Sequence, residues 1–167
     1  MTRDQAATVI LNRVLDDEGG IGQVAGEAWV TRFGQTPQWL QDFGFTAPET
    51  RDEAMANYKT WLVRTRLIGL CDEPDSLAWG VIDWAVNSGH RPAIVALQRA
   101  LGVPADGVLG PETQQALEQS DRLHAAARVV AARARHYGKI VTGDAARYGR
   151  YAHGWMNRLA GHIEALV

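Results

Sequence analysis

Apolar positions recur at helical spacing along most of this chain. In the segment Asp4–Asp17, Ala7, Leu11 and Val14 fall on one face, and the next position on that spacing is Glu18, an acid followed at once by Gly19 and Gly20. The spacing predicts a first helix over residues 4–18. Thr50-Arg51-Asp52-Glu53 is a capping box that opens a second helix toward Ile68, with Tyr58, Trp61, Leu62 and Thr65 sharing its spacing and Gly69 as its stop. Asp75 or Ser76 caps a third, through Leu77, Val81, Ile82, Ala85 and Val86 to Asn87-Ser88-Gly89. Pro92 marks the first turn of a short helix ending near Leu101-Gly102. Turn signals at 104–111 lead into a helix over 112–117. Asp121 caps an alanine-rich helix to about Tyr137, and a last helix covers roughly 148–165.

Between the first two helices the pattern changes. Residues 19–49 are rich in glycine and aromatics, with Pro37 placed to open a short helix through Gln38–Phe43. Such a segment packs on its rings rather than staying disordered, and it accommodates a small hairpin around Glu27–Gln35. Nowhere else does alternation argue for a sheet. The prediction is a mainly α, orthogonally packed helical domain over 1–167, with a small, β-capable lobe after the first helix. Residues 1–70 form one segment and 71–167 a second, helical one.

Composition supports a substantial core and narrows the chemistry. At 18.3 kDa and 46% hydrophobic, a chain of this size buries about 70% of its extended surface without disulfides or metals. Cys71 is the only cysteine, which excludes an internal disulfide and reads as a small buried hydrophobe. With 17 basic and 19 acidic side chains there is no general case for nucleic acid. The region 121–158 is uneven, carrying Arg122, Arg128, Arg133, Arg135, Lys139, Arg147, Arg150 and Arg158 against Asp121 and Asp144. That run reads either as a solvated helix face or as an attractor for an anionic polymer. The N-terminal residues lack a signal peptide's apolar core, and no stretch approaches a membrane span. The expectation is synthesis in the cytoplasm without stable membrane insertion.

Glu18 carries the sharpest chemical signal. An acid that ends an apolar stripe is pressed against carbon and lies at the negative end of the helix dipole, and both effects disfavour its charged form. That suits a general acid, while the two glycines allow close approach of a ligand. Taken alone, Glu18 also reads as a solvated last-turn residue before a glycine cap. Glycoside hydrolysis needs an acid plus a second group that orients water or steadies the cation. Glu27 and Thr31 are the candidates if residues 19–31 fold back over the helix end, with Asp42 the remaining acid of that lobe. Trp29 and Trp39 are candidate sugar platforms, although any tryptophan also serves as core. Asp83, between Ile82 and Trp84, is either a cleft residue or a solvent-facing one. The histidines form no metal-site spacing, and phosphate-loop and serine-hydrolase signatures are absent, so no cofactor is expected.

Taken in order, these elements resemble the phage and prophage N-acetylmuramidases of glycoside hydrolase family 108, which join a catalytic segment to a predicted peptidoglycan domain. Glu18-Gly19-Gly20 matches the family's opening motif, followed by Thr31, Gly34 and Thr36. Asn87-Ser88-Gly89, Leu97-Gln98-Arg99-Ala100-Leu101, the stretch Asp106–Thr113, Arg135-His136-Tyr137 and Gly154-Trp155-Met156-Asn157-Arg158 resemble later elements. Gly26-Glu27-Ala28-Trp29 stands where the family has aspartate-proline-glycine-glycine. The resemblance implies a lysozyme-like fold with Glu18 as catalytic acid and Glu27 or Thr31 as its counterpart. Trp29, Trp39, Asp83, Asn87 and Tyr137 become candidate substrate contacts. It further implies an endolysin-type muramidase that cuts the β-1,4 bond between N-acetylmuramic acid and N-acetylglucosamine in peptidoglycan. Such a protein is held in the host bacterial cytoplasm until a separate pore-forming protein releases it to the wall or periplasm. The alternative is a non-catalytic peptidoglycan-binding or virion-associated structural protein.

Overall fold

A computed structural model describes residues 1–23 and 28–167, and the chain divides into two compact units, Met1–Pro74 and Asp75–Val167. In the first unit, α1 (Arg3–Glu18) opens with a capping box in which Thr2 and Gln5 satisfy each other's backbone N–H groups. It buries Ala6, Ala7, Ile10, Leu11, Val14 and Leu15. Its partner is α3 (Arg51–Arg64), capped by Thr50 and Glu53 and burying Ala54, Tyr58, Trp61 and Leu62. Each fully buried leucine of this interface contributes about 1.5–3 kcal/mol relative to exposure. The second helix stops earlier than the sequence suggests. Arg66 turns left-handed (φ 64°) and a 3₁₀ turn, Leu67–Leu70, follows.

The lobe between α1 and α3 holds β1 (Ile21–Gly22), β2 (Thr31–Arg32) and the Pro37-initiated α2 (Pro37–Phe43). The strands pair antiparallel, Ile21 with Arg32 and Gly22 with Thr31. The expected hairpin around Glu27–Gln35 is thus displaced: the second strand lies inside that window, but its partner is upstream at the exit of α1. Two-residue strands leave no alternation for a sequence to display.

The second unit is helical among its described residues: α4 (Ser76–Ser88), α5 (His90–Leu101), α6 (Pro111–Glu118), α7 (Arg122–Gly143), α8 (Ala145–Tyr148), a 3₁₀ turn Gly149–Tyr151, and α9 (Ala152–Glu164). Asp75 rather than Ser76 caps α4, accepting from the Ala78 N–H. α4 is apolar nearly all round, as a helix covered by both α5 and α7 must be, and α7 in turn packs on α9. The loop 103–110 is pinned by a buried glutamine. Gln98 donates to Asp106 Oδ1 (2.7 Å), Val108 O (3.0 Å) and Thr113 Oγ1 (3.1 Å), and accepts from the Gly107 N–H (2.8 Å). α7 runs past Tyr137 through Gly138, because packing overrides the roughly 1 kcal/mol that a mid-helix glycine costs.

Candidate functional site

Glu18 is the last residue of α1, and Gly19 (φ 72°) takes the chain out of the helix at once. The chain returns as β2 and turns back through Phe33 (φ 53°) and Gly34 (φ 78°). Two consecutive left-handed residues give the twist of a tight hairpin turn, closed here by reciprocal Arg32–Gln35 backbone bonds of 3.1 and 2.9 Å. The Phe33 N–H also donates to Gly20 O (3.0 Å), which ties this turn to the exit of α1. Its consequence is close approach to the acid. A β-carbon at Gly34 would lie 2.7 Å from both Cγ and Oε2 of Glu18, so no side chain fits there without moving the carboxyl group.

The turn is anchored from behind by α3. Tyr58 Oη donates to Phe33 O (3.0 Å). The fully buried Gln35 donates to Ala54 O (3.0 Å) and accepts from Asn57 Nδ2 (2.8 Å). Asn57 also donates to Thr46 O (3.0 Å). A strained Phe33 persists because these bonds over-determine its position. In front of the turn, Glu18, Gly20, Ile21, Gly22, Gln23 and Thr31 line a recess of about 200 Å³. Thr31 donates from Oγ1 to Gly22 O (3.2 Å), so its hydroxyl oxygen still offers lone pairs. Glu18 and Thr31 therefore share one recess. Glu27 lies outside the described residues.

The candidate aromatics divide. Trp29 is exposed at 46%, free to meet a ligand. Trp39 is half-buried in a ring cluster, with Phe43, Phe45, Tyr58 and Trp61 centroids 5.2–5.9 Å away. Arg64 caps that cluster, stacking on Phe45 and donating to Phe43 O. Trp39 is packing for the lobe, and Asp42 is held by Gln38 Nε2 at 2.7 Å.

The other three candidates belong to the second unit and form a separate group. Asp83 is neither a cleft residue nor solvent-facing: it is fully buried. Arg133 Nη1 (2.6 Å), Arg158 Nη1 (2.8 Å) and His162 Nε2 (3.1 Å) surround its carboxylate. Burial alone pushes this carboxyl upward, but the His162 hydrogen bond and the charges of Arg133 and Arg158 outweigh it and hold the group well below the usual carboxylate range. Arg133 Nε donates on to Tyr137 Oη (2.8 Å), which donates to Asn87 Oδ1 (2.8 Å). Tyr137 stacks on Trp155, with centroids 4.5 Å apart and planes within 10°. Burial raises the Tyr137 pKa and keeps it a neutral donor. Asp83 and Tyr137 thus carry a polar core across α4, α7 and α9, and Asn87, at the end of α4, is the half-buried member of that chain.

Sequence reasoning did not single out Gln35, Asn57 or His162, and it named Arg133 and Arg158 only within the basic run of 121–158 and, for Arg158, the closing motif. It placed Tyr58 only on the apolar stripe of α3. Gln98 gave no signal beyond its motif. What these residues share is a partner distant in sequence, and periodicity within one helix carries no trace of that.

Residues 92–160 match the family model described as a predicted peptidoglycan domain. No curated protein matches the chain. Among solved structures it is similar to the structure of Brucella abortus SagA, at 20% identity and a TM-score of 0.75, over 96% of this chain and 92% of that one. The fold is accordingly mainly helical and lysozyme-like, with a small two-stranded lobe, and the match to a predicted peptidoglycan domain lies within the second unit.

Proposed function

We propose that the protein is a muramidase that hydrolyses the β-1,4 bond between N-acetylmuramic acid and N-acetylglucosamine. The observation that carries this reading is the Glu18 carboxyl, set at a helix end, closed on one side by Gly34 and sharing a recess with Thr31. Glu18 protonates the bridging oxygen as the glycosidic bond breaks, water adds to the anomeric carbon, and the proton that water gives up restores the Glu18 acid by way of solvent. Thr31 or Glu27 orients that water or steadies the developing cation. The exposed Trp29 is the platform for a sugar ring. In an endolysin setting, the protein waits in the host bacterial cytoplasm and reaches the wall through a separate pore-forming protein.

Replacing Glu18→Gln tests the reading directly. Release of reducing ends from purified peptidoglycan should fall by at least about 1,000-fold, as expected when the acid of a general acid step is lost. Unchanged turnover would sink it, and product masses distinguish muramidase from glucosaminidase or lytic transglycosylase. A second reading, a non-catalytic wall-binding protein, is favoured by the family match lying at 92–160, outside the Glu18 lobe. Wild-type protein that sediments with insoluble wall while liberating no soluble fragment would establish it.

A further inference from the structure

The second unit contains a cavity of about 530 Å³ that the Glu18 chemistry does not use. Its size falls within the range of small-ligand sites. α5 and α7 form its sides. On α7, Arg128, Ala132, Arg135, His136 and Lys139 follow the three- and four-residue spacing of a single face. On α5, Pro92, Val95, Ala96, Arg99 and Ala100 do the same. Alanines at 96, 100, 131 and 132 line the cavity and leave space where larger side chains would fill it. Trp84, from α4, completes the lining.

The charge of the lining describes what the space would hold. It carries Arg99, Arg128, Arg135 and Lys139 and no carboxylate. Arg128 is partly engaged, donating to Ala100 O at 2.9 Å. Arg99, Arg135 and Lys139 are exposed and make no ion pair among the described residues. His136, whose ring centroid is 5.5 Å from that of Trp84, is pushed toward its neutral form by burial and by the charges of Arg133 and Lys139. The positive charge of the lining therefore resides on the arginines and the lysine.

We propose that this cavity binds the carboxylate-bearing peptide of peptidoglycan, its cations pairing with peptide carboxylates. The assignment rests on the peptidoglycan match of residues 92–160 and not on catalysis by Glu18. The sugars of peptidoglycan are N-acetylated and neutral, and their lactyl acid is tied up as an amide. The negative charge of an intact wall unit is therefore on its peptide. An arginine-lined cavity discriminates between those two parts of the polymer.

The test is calorimetric binding of a soluble N-acetylmuramyl-tetrapeptide to the full chain carrying Glu18→Gln, so that the probe is not consumed. The same compound with its carboxylates capped as amides, and the N-acetylglucosamine dimer, should bind at least about tenfold more weakly, as loss of paired charges predicts. R135E/K139E, at two exposed positions, should weaken the tetrapeptide probe by a similar factor, and R99Q/R135Q should do so without charge reversal. In the Glu18 wild-type background, hydrolysis of glycan strands stripped of peptide should be untouched by those changes. Equal binding of the amide-capped probe, or insensitivity to both double variants, overturns the proposal. Inorganic phosphate displacing the probe at equal concentration overturns the carboxylate assignment. A wild-type protein that hydrolyses nothing yet binds the probe in this way defeats the muramidase reading and leaves this one standing.

Discussion

The two units treat an acid on an apolar helix stripe in opposite ways. Glu18 ends α1 beside a glycine turn and faces a recess, whereas Asp83 sits mid-helix in α4 with two arginines and a histidine closed over it. The first unit keeps its acid reachable by surrounding it with glycine, a two-residue ladder and one tightly anchored turn. The second removes its acid from solvent and must then neutralise it. A carboxylate's role therefore follows from what covers it and not from its helix position, since both lie on apolar stripes. On the proposed reading the first arrangement serves chemistry, whereas the second joins three helices through one carboxylate.

An acid-to-amide change should separate the two. Whereas Glu18→Gln is expected to remove activity and spare the fold, Asp83→Asn leaves Arg133 and Arg158 without their counter-charge. Breaking a buried pair in this way costs about 3–5 kcal/mol. Hydrogen exchange of amides in α4, α7 and α9 should accelerate by about 100- to 4,000-fold, since each 1.4 kcal/mol is tenfold. Unchanged protection would mean that the network does not hold the unit. The pH dependence has a definite sign. The folded carboxyl is held below its ordinary value of 3.8, so its contribution is complete above that value and fades as pH falls below it. Protection in these helices should persist at pH 5 and decline in more acidic solution.

Gly34 provides the second break. Alanine there must adopt φ near 78°, which costs about 1–2 kcal/mol, and its β-carbon would meet the Glu18 carboxyl. Gly34→Ala should lower reducing-end release by about 100-fold, the scale of a 1 Å misplacement, while exchange in α4 and α7 stays as in the wild type. Full activity in this variant would show that the turn does not set the acid's position.

How much of this was legible depends on whether the cause was local. α1 and α3 were readable because apolar stripes, and for α3 the Thr50–Glu53 capping box, lie within a few neighbouring residues, and Pro37 announced α2; the Thr2–Gln5 box of α1 went unread. Pro92 lies in the first turn of α5 as its spacing indicated, and the helix begins at His90 after the break made by Gly89 (φ 93°), since proline is tolerated there. Asp83 was unreadable in kind. Its helix is buried on nearly every side, so no polar face marked an inward acid, and its partners come from 50, 75 and 79 residues away. At the candidate site, Glu18 was visible where its stripe ended. The contact with Gly34 was not, because it depends on two positive φ angles and on strand pairing that two-residue strands cannot advertise.

The smallest effect sharpens the comparison furthest. Tyr58 is 1% exposed, and its ring packs against Trp39 and Trp61, so Tyr58→Phe keeps the packing and deletes the hydroxyl that donates to Phe33 O. A neutral hydrogen bond of this kind is worth about 1 kcal/mol, well below the charged pairs of Asp83. The Phe33–Gly34 turn retains its Gln35 anchors, so it should loosen rather than collapse. Activity should fall by about fivefold in kcat with KM little changed, because a looser turn misaligns the acid without touching the sugar. A purely structural tyrosine would lower stability by that same 1 kcal/mol and leave kcat alone, so kinetics below the melting transition decide whether α3 serves the fold alone or also sets Glu18.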